Sequence, residues 1–209
     1  SQRSLPLHPK RYSSSPTRVK EFKIPRFIQI STDEVYGDID KGYSKEDHPF
    51  RPSNPYSASK ASADLITQAY MRTHNLPLLI VRGSNNFGPY QYPEKLIPLT
   101  ITNIVEDKKI PVHGDGQQIR RWIHVRDFCE AVDLVMHKAK DGSIYNISGT
   151  EMSNLEIIKS ISSHLGRDKD DHIYFIKDRP GGDARYSPDS TKINRELGWN
   201  AKYPIKNHL

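Results

Sequence analysis

The chain has 209 residues, of which 35% are hydrophobic and 27% charged, with a formal net charge of +6. Its length allows one domain and part of a second, and no apolar run approaches the roughly 20 residues a membrane-spanning helix needs, so no membrane partner is expected. Residues 1–30 carry seven Lys/Arg and one acid, while the other 179 residues are balanced at 24 and 24. The body thus lacks the net basic field that would draw a polyanion, and no nucleic-acid partner is expected, although a local patch stays open.

Residues 1–16 are rich in Ser, Pro and Arg and contain no acid. Three readings compete for them: a disordered or artefactual leader, a transit peptide, or a functional basic arm, the first being favoured. They contain no apolar core of the kind a secretory signal has. Residues 18–23 fit the last turns of a helix ending before Pro25. The run 27–31 is an apolar strand, and residues 36–53 are loop. A helix follows Asn54-Pro55 and runs to about residue 75, with Ala61, Leu65, Ala69 and Met71 at helical spacing. Residues 78–81 form a continuous apolar run of the kind expected for a buried parallel strand, so the unit is strand–helix–strand.

The stretch 84–89 is a strand-end turn. A helix from about 95 to 105, short strands at 110–113 and 121–125, and a helix capped by Asp127 and ending near 138 come next. Residues 144–147 are strand-like. Ser153 opens a helix that stops at Gly166. The last strand is 173–176, followed by a turn over 179–183 and a helix over 190–197. The one cysteine, Cys129, fits a reducing compartment and a buried helix position.

Two patterns carry chemistry. Tyr56 and Lys60 stand four residues apart near the start of the long helix and share one face. An ammonium beside a phenol lowers the phenol pKa and makes it a base near neutral pH. Thr32-Asp33-Glu34 closes the strand at 27–31. Two adjacent carboxylates at a strand end can be driven to different pKa values, one acting as acid and the other as base. Taken alone, the triplet is as well read as a polar strand terminus with a capping loop. The strand end is where open α/β sheets bind ligands. His124 and Trp122 are assigned to packing. His8, His48, His74, His137, His164, His172 and His208 show no metal-ligand spacing, so no metal is expected.

The strand-end hydroxyl, followed about 24 residues later by Tyr-x-x-x-Lys, resembles the extended short-chain dehydrogenase/reductase superfamily. The stretches STDEVYGD at 31–38, NPYSASKA at 54–61, SNNFGPYQYPEKLIP at 84–98, IPVHGDGQQIRRWIHVRD at 110–127, YNISG at 145–149 and RPGGDARYSPD at 179–189 together resemble its nucleotide-sugar 4,6-dehydratases, above all those acting on dTDP-glucose. The resemblance covers residues 17–209. Related epimerases and decarboxylases usually lack the acid pair.

The resemblance implies an α/β fold: a partial Rossmann-like parallel sheet with helices, plus a smaller α+β substrate-binding lobe. Residues 17–90 would be the C-terminal part of the NAD-binding domain with the catalytic groups. Residues 91–209 would be mainly the nucleotide-sugar lobe, with some segments returning to the sheet. It implies an NAD-dependent hydro-lyase converting dTDP-glucose to the 4-keto-6-deoxy sugar nucleotide. Tyr56 would take the C4 hydroxyl proton as hydride passes to NAD. Lys60 would hold the cofactor ribose, and Thr32 would bind the C4 oxygen. Glu34 would remove the C5 proton and Asp33 would protonate the departing C6 hydroxyl. Asn85 would meet substrate and Asn86 the nicotinamide region. Lys95, Leu96, Pro111, Val112 and His113 would line the nucleotide pocket. Arg120, Asn154, Arg185 and Tyr186, with Asp183 beside them, would hold the pyrophosphate and nucleoside. Gly182 stands where the family usually has His.

None of the 12 glycines forms the glycine-rich turn that follows the first strand of a Rossmann domain. The expectation is that the first third of the fold is missing and that the strand at 27–31 has an exposed edge. The resemblance also implies a cytoplasmic protein, homodimeric through the helix at 55–75. A non-catalytic nucleotide-sugar-binding fragment, or another nucleotide-sugar dehydratase or epimerase, remains the alternative.

Overall fold

The computed structural model describes residues 9–167, 172–178 and 180–209, with side chains from residue 15 onward. Residues 1–8 of the expected leader and Arg179 of the expected turn lie outside the described residues. The chain is mixed α/β. Helix α1 (Pro9–Glu21) leads into strand β1 (Phe27–Thr32), a 3-10 turn (Asp33–Tyr36), helix α2 (Pro55–His74) and strand β2 (Leu78–Gly83). Then come β3 (Asn85–Phe87), α3 (Leu96–Val105), β4 (Ile110–His113), β5 (Ile119–His124), α4 (Val125–Lys138), β6 (Ile144–Ile147), β7 (Thr150–Ser153), α5 (Asn154–His164), β8 (Ile173–Ile176) and α6 (Thr191–Leu197).

Strands β1, β2 and β6 form a parallel sheet in the order β1-β2-β6. All six residues of the central β2 are buried, which explains its uninterrupted apolar start. The register pairs Thr32 with Gly83 and Gly83 with Ile147, so the three carboxyl ends lie level. As expected, β1 is an edge strand among the described residues, with Ile30 41% exposed. A mixed sheet, β3-β5-β7, and a two-stranded parallel pair, β4-β8, make up the smaller lobe.

Each lobe has its own core. Helices α4 and α6 pack Ala131, Val135 and Ile193 onto Leu79, Val81 and Ile147 of the parallel sheet. On its other side, Val19 and Met71 meet Leu78 and Ile80. In the smaller lobe Phe87, Val112, Trp122 and Ile157 share one cluster.

Local chemistry sets the helix starts. Asn54 caps α2: its side chain accepts from the Ser57 N–H at 2.9 Å, the Ser57 hydroxyl accepts from the Asn54 N–H, and Pro55 takes the first position. Asn75, at φ 51, ends the helix in the left-handed conformation. Ser153 and Glu156 form the same reciprocal cap on α5. Ser153→Ala is therefore expected to lower stability by about 1 kcal/mol, a shift that urea denaturation resolves, and a change within about 0.2 kcal/mol would contradict the cap's role.

Several elements differ from the sequence reading. Residues 9–16, assigned to the leader, form the first turns of α1, which Val19 anchors against the sheet. Residues 85–87 are a strand rather than a turn, because they pair in parallel with Trp122–His124, a partner that local pattern cannot reveal. Strand β7 was not expected and owes its form to antiparallel pairing with β5. On α2, Leu65 and Ala69 face outward, and the buried residues are Ser57, Ala61, Ala63, Asp64, Thr67 and Met71. Cys129 is exposed: the buried positions of α4 are Asp127, Ala131 and Val135, and Cys129 lies on the opposite face. The cap of α4 is His124, whose ring accepts from the Arg126 N–H at 3.2 Å. Asp127 instead accepts from the backbone N–H groups of Lys202 and Tyr203, both at 3.0 Å.

Candidate active site

The level carboxyl ends of β1 and β2 deliver two polar segments to one place. Thr32 caps the turn that follows β1: its Oγ1 accepts from the Glu34 N–H at 3.3 Å and faces the Asp33 carboxyl at 3.2 Å. Gly37 closes the turn at φ 72, where a Cβ would lie 2.0 Å from the Arg51 carbonyl oxygen. Only glycine fits such a position. From β2 the chain runs through Ser84 into β3 and the loop ahead of α3. A cleft of about 440 Å³ opens between these segments, lined by Thr32, Asp33, Glu34, Tyr56, Asn85, Asn86 and Lys95, together with Ser84, Phe87–Tyr92 and Val125.

The two carboxyls differ electrostatically. Burial, and then the neighbouring Glu34 charge, push the Asp33 pKa up to about 7, against the Thr32 hydrogen bond and Arg120. Its Oδ2 is buried with no hydrogen-bond partner. Glu34 is half-buried and also raised, first by burial; a hydrogen bond from Asn54 and the charges of Arg120 and Lys95 oppose this, and Asp183 adds to it. Asp33 can thus keep a proton near neutral pH while its neighbour gives one up or takes one, the division of labour that acid–base chemistry needs.

Tyr56 reaches the cleft from the first turn of α2 and is 47% exposed. Lys60, one turn on, does not line the cleft. Its ammonium donates to the Ile30 carbonyl of β1 at 2.7 Å. Burial lowers its pKa, and the Asp64 charge works against that shift. The Asn86 Nδ2 donates to the Ser84 carbonyl at 3.1 Å, and Gln91 holds the Asn86 carbonyl at 2.8 Å. Asn86 Oδ1 and Ser84 Oγ are buried without partners.

Arg120, Asp183 and Tyr186 gather beside the acid pair. Arg120 donates to the Asp183 carbonyl at 2.7 Å and its guanidinium sits 4.4 Å from the centre of the Tyr186 ring. The hydroxyls of Tyr186 and Ser53 donate to the Asp183 carboxylate. Burial and this carboxylate push the Tyr186 phenol up.

The other expected binding residues lie outside the cleft. Leu96 opens α3 and packs on the smaller core. Pro111, Val112 and His113 form β4, where Val112 is 2% exposed in that core. Asn154 donates to the Gln118 side chain at 3.3 Å. Arg185 pairs with Glu151 at 2.9 Å and donates to the Gly42 carbonyl. It and Tyr186 follow one another in extended chain bridged to Ile119, so their side chains diverge and only Tyr186 turns to Asp183. Sequence reasoning gave no role in the site to Asn54, Ser84 or Gln91. The Asn-Pro helix start flagged Asn54, but only its approach to Glu34 reveals a second use.

Among the described residues no three His, Cys, Asp or Glu gather as a metal site. Nor is any helix long and apolar enough to cross a membrane.

The model of the family described as GDP-mannose 4,6 dehydratase matches residues 17–209. The low-salt glycan biosynthesis protein Agl12 of Haloferax volcanii is 49% identical over 187 residues, covering 89% of this chain and 60% of its own length. A dTDP-glucose 4,6-dehydratase of Streptomyces niveus is 46% identical over 188 residues, covering 90% and 56%. The crystal structure of dTDP-glucose 4,6-dehydratase from Bacillus anthracis in complex with NAD superposes with a TM-score of 0.90 at 44% identity, covering 94% of this chain and 63% of that one. The chain therefore spans somewhat more than half the length of the proteins it resembles.

Proposed function

The chain belongs to the GDP-mannose 4,6 dehydratase family, and from that premise we propose that it supplies the catalytic and sugar-binding part of an NAD-dependent 4,6-dehydratase acting on dTDP-glucose. The observation that carries this is the unequal carboxyl pair: Asp33, held near 7, beside the less buried Glu34 in the cleft that Tyr56 enters. The resemblance to named dTDP-glucose 4,6-dehydratases favours that substrate.

The residues fit the nicotinamide end of the cofactor. Lys60 and Tyr56 sit a helical turn apart, and Asn86 Oδ1 and Ser84 Oγ are buried polar atoms in want of a partner. The chemistry that NAD would supply there is reversible hydride acceptance, from the sugar C4 and back to C6. Tyr56 removes the C4 hydroxyl proton, and Thr32 Oγ1 orients the oxygen. The C4 ketone acidifies the C5 hydrogen, which Glu34 takes. Asp33 gives its proton to the departing C6 hydroxyl, and water leaves; as C6 takes hydride, C5 takes a proton back from Glu34, which exchanges with solvent. Arg120 and Lys95 offer positive charge to the diphosphate. A homodimer formed through the outer face of α2, where Leu65 is 54% exposed, and a cytoplasmic location belong to the same proposal.

The test is incubation of the chain with dTDP-glucose and NAD in deuterium oxide. The product is expected to have lost water and gained one deuterium at C5. Glu34→Gln should slow it by about 100-fold or more. Epimerisation at C4 with no loss of water would replace this reading with that of an epimerase.

A further inference from the structure

Below the cleft lies a polar cluster that the proposed chemistry does not use. Arg82, on the central strand β2, is 1% exposed, and Asp64, on α2, is fully buried. The Arg82 Nε donates to the Asp64 carboxylate at 2.8 Å. Its Nη1 donates to the Tyr36 hydroxyl at 2.7 Å and to the Glu46 carbonyl at 2.8 Å. The Tyr36 hydroxyl in turn donates to the Asn146 Oδ1 on β6 at 2.7 Å. The rings of Tyr36 and Phe50 flank the guanidinium at 5.1 and 4.8 Å.

The two arms of this guanidinium lead to the two chemical pairs. Asp64 is the third member of an i, i+4 row with Tyr56 and Lys60 on α2. Tyr36 is the last residue of the 3-10 turn that begins with Asp33 and Glu34. A buried ion pair is a costly way to join two elements, since apolar side chains of equal size usually hold them at least as well. What the planar fork adds is direction, because each donor fixes one partner at a set angle.

We propose that Arg82 is a positioning residue that sets the Tyr56–Lys60 pair and the Asp33–Glu34 pair in one frame, through Asp64 on one side and Tyr36 on the other. This rests on the reading of those pairs as the reacting groups.

The test follows the titration of the groups themselves in the ligand-free chain. Carbon-13 NMR of Asp33 and of reductively methylated Lys60 would be recorded in four variants. Asp64→Asn is expected to lower the Lys60 midpoint by about one unit, through loss of its carboxylate neighbour, and to leave Asp33 in place. Tyr36→Phe keeps the ring but frees the turn. It is expected to lower the Asp33 midpoint by about one unit as water reaches it, and to leave Lys60 in place. Arg82→Lys should move both. Leu65→Ala, on the outer face of α2, should move neither. If Arg82→Lys lowers the melting temperature while both midpoints hold, Arg82 is a packing residue and the proposal falls. Should Arg82→Lys not fold, Tyr36→Phe decides, because the Asp64→Asn shift arises from direct loss of charge: an Asp33 midpoint that stays put in Tyr36→Phe overturns the proposal. None of these readouts involves turnover, so a failed dehydration assay and a failed titration remain separate results.

Discussion

Arg82→Ala is expected to destabilise the chain by about 3–5 kcal/mol, because it strands a buried carboxylate. Asp64 would keep its place in a closed interior without its guanidinium partner and with only the charge of Lys60 nearby, and burial already raises its pKa against the pull of Arg82. The Tyr36 phenol, pushed up to about 12 by the same burial, would lose a donor and keep its bond to Asn146. Replacing both partners, Arg82→Leu with Asp64→Leu, should cost much less, since no charge is then left behind. Urea denaturation of the single and double variants measures both. Equal losses in the two would mean that volume, and not charge, holds α2 on the sheet.

Asp33→Asn is expected to raise stability at pH 8 by about 2–4 kcal/mol while removing the acid of the proposed elimination. The ordinary Asp pKa is 3.8, and here the group is held near 7. Between those values the folded chain keeps a proton that the unfolded chain has released. Stability is thus free of this penalty below pH 3.8, falls as pH rises through the window, and bears it in full above 7. The asparagine variant has no such term. Glu34, Glu46 and Asp64 are raised as well, so the quantity of interest is the difference between variant and parent at pH 4 and pH 8. Parallel curves would return Asp33 to the ordinary solvated acids. Dehydration by the variant should fall about 100-fold or more, so one substitution separates the acid's contribution to chemistry from its cost to the fold.

Much of the site was legible in the chain. Thr32-Asp33-Glu34 at the end of an apolar run, and Tyr56 and Lys60 at helical spacing behind Asn54-Pro55, announced a strand end and a helix start that the structure contains. Short-range stereochemistry suffices for that: a strand alternates, a helix repeats, and Asn, Ser and Pro mark where it begins. Apolar periodicity was a poorer guide on α2. The inward row there includes Asp64, a residue that composition assigns to the surface, and Leu65 faces out.

The sequence by itself determined the strand-end triplet and helix-start pair offered as candidate acid–base groups, the parallel strand–helix–strand unit and the placing of His124 and Trp122 in the packed interior. Only the tertiary structure decided which binding residues converge. Arg120, Asp183 and Tyr186 come to the acid pair from β5 and the extended segment near the C-terminus, while Arg185 is drawn off to Glu151. Only it made strands of residues 85–87 and 150–153, and only it joined Arg82 to Asp64 and Tyr36. Each of these pairings depends on a partner at least 18 residues distant. Local propensity carries no information about such partners, and burial fixes the energy of a charge or a strand edge only after the chain has closed around it.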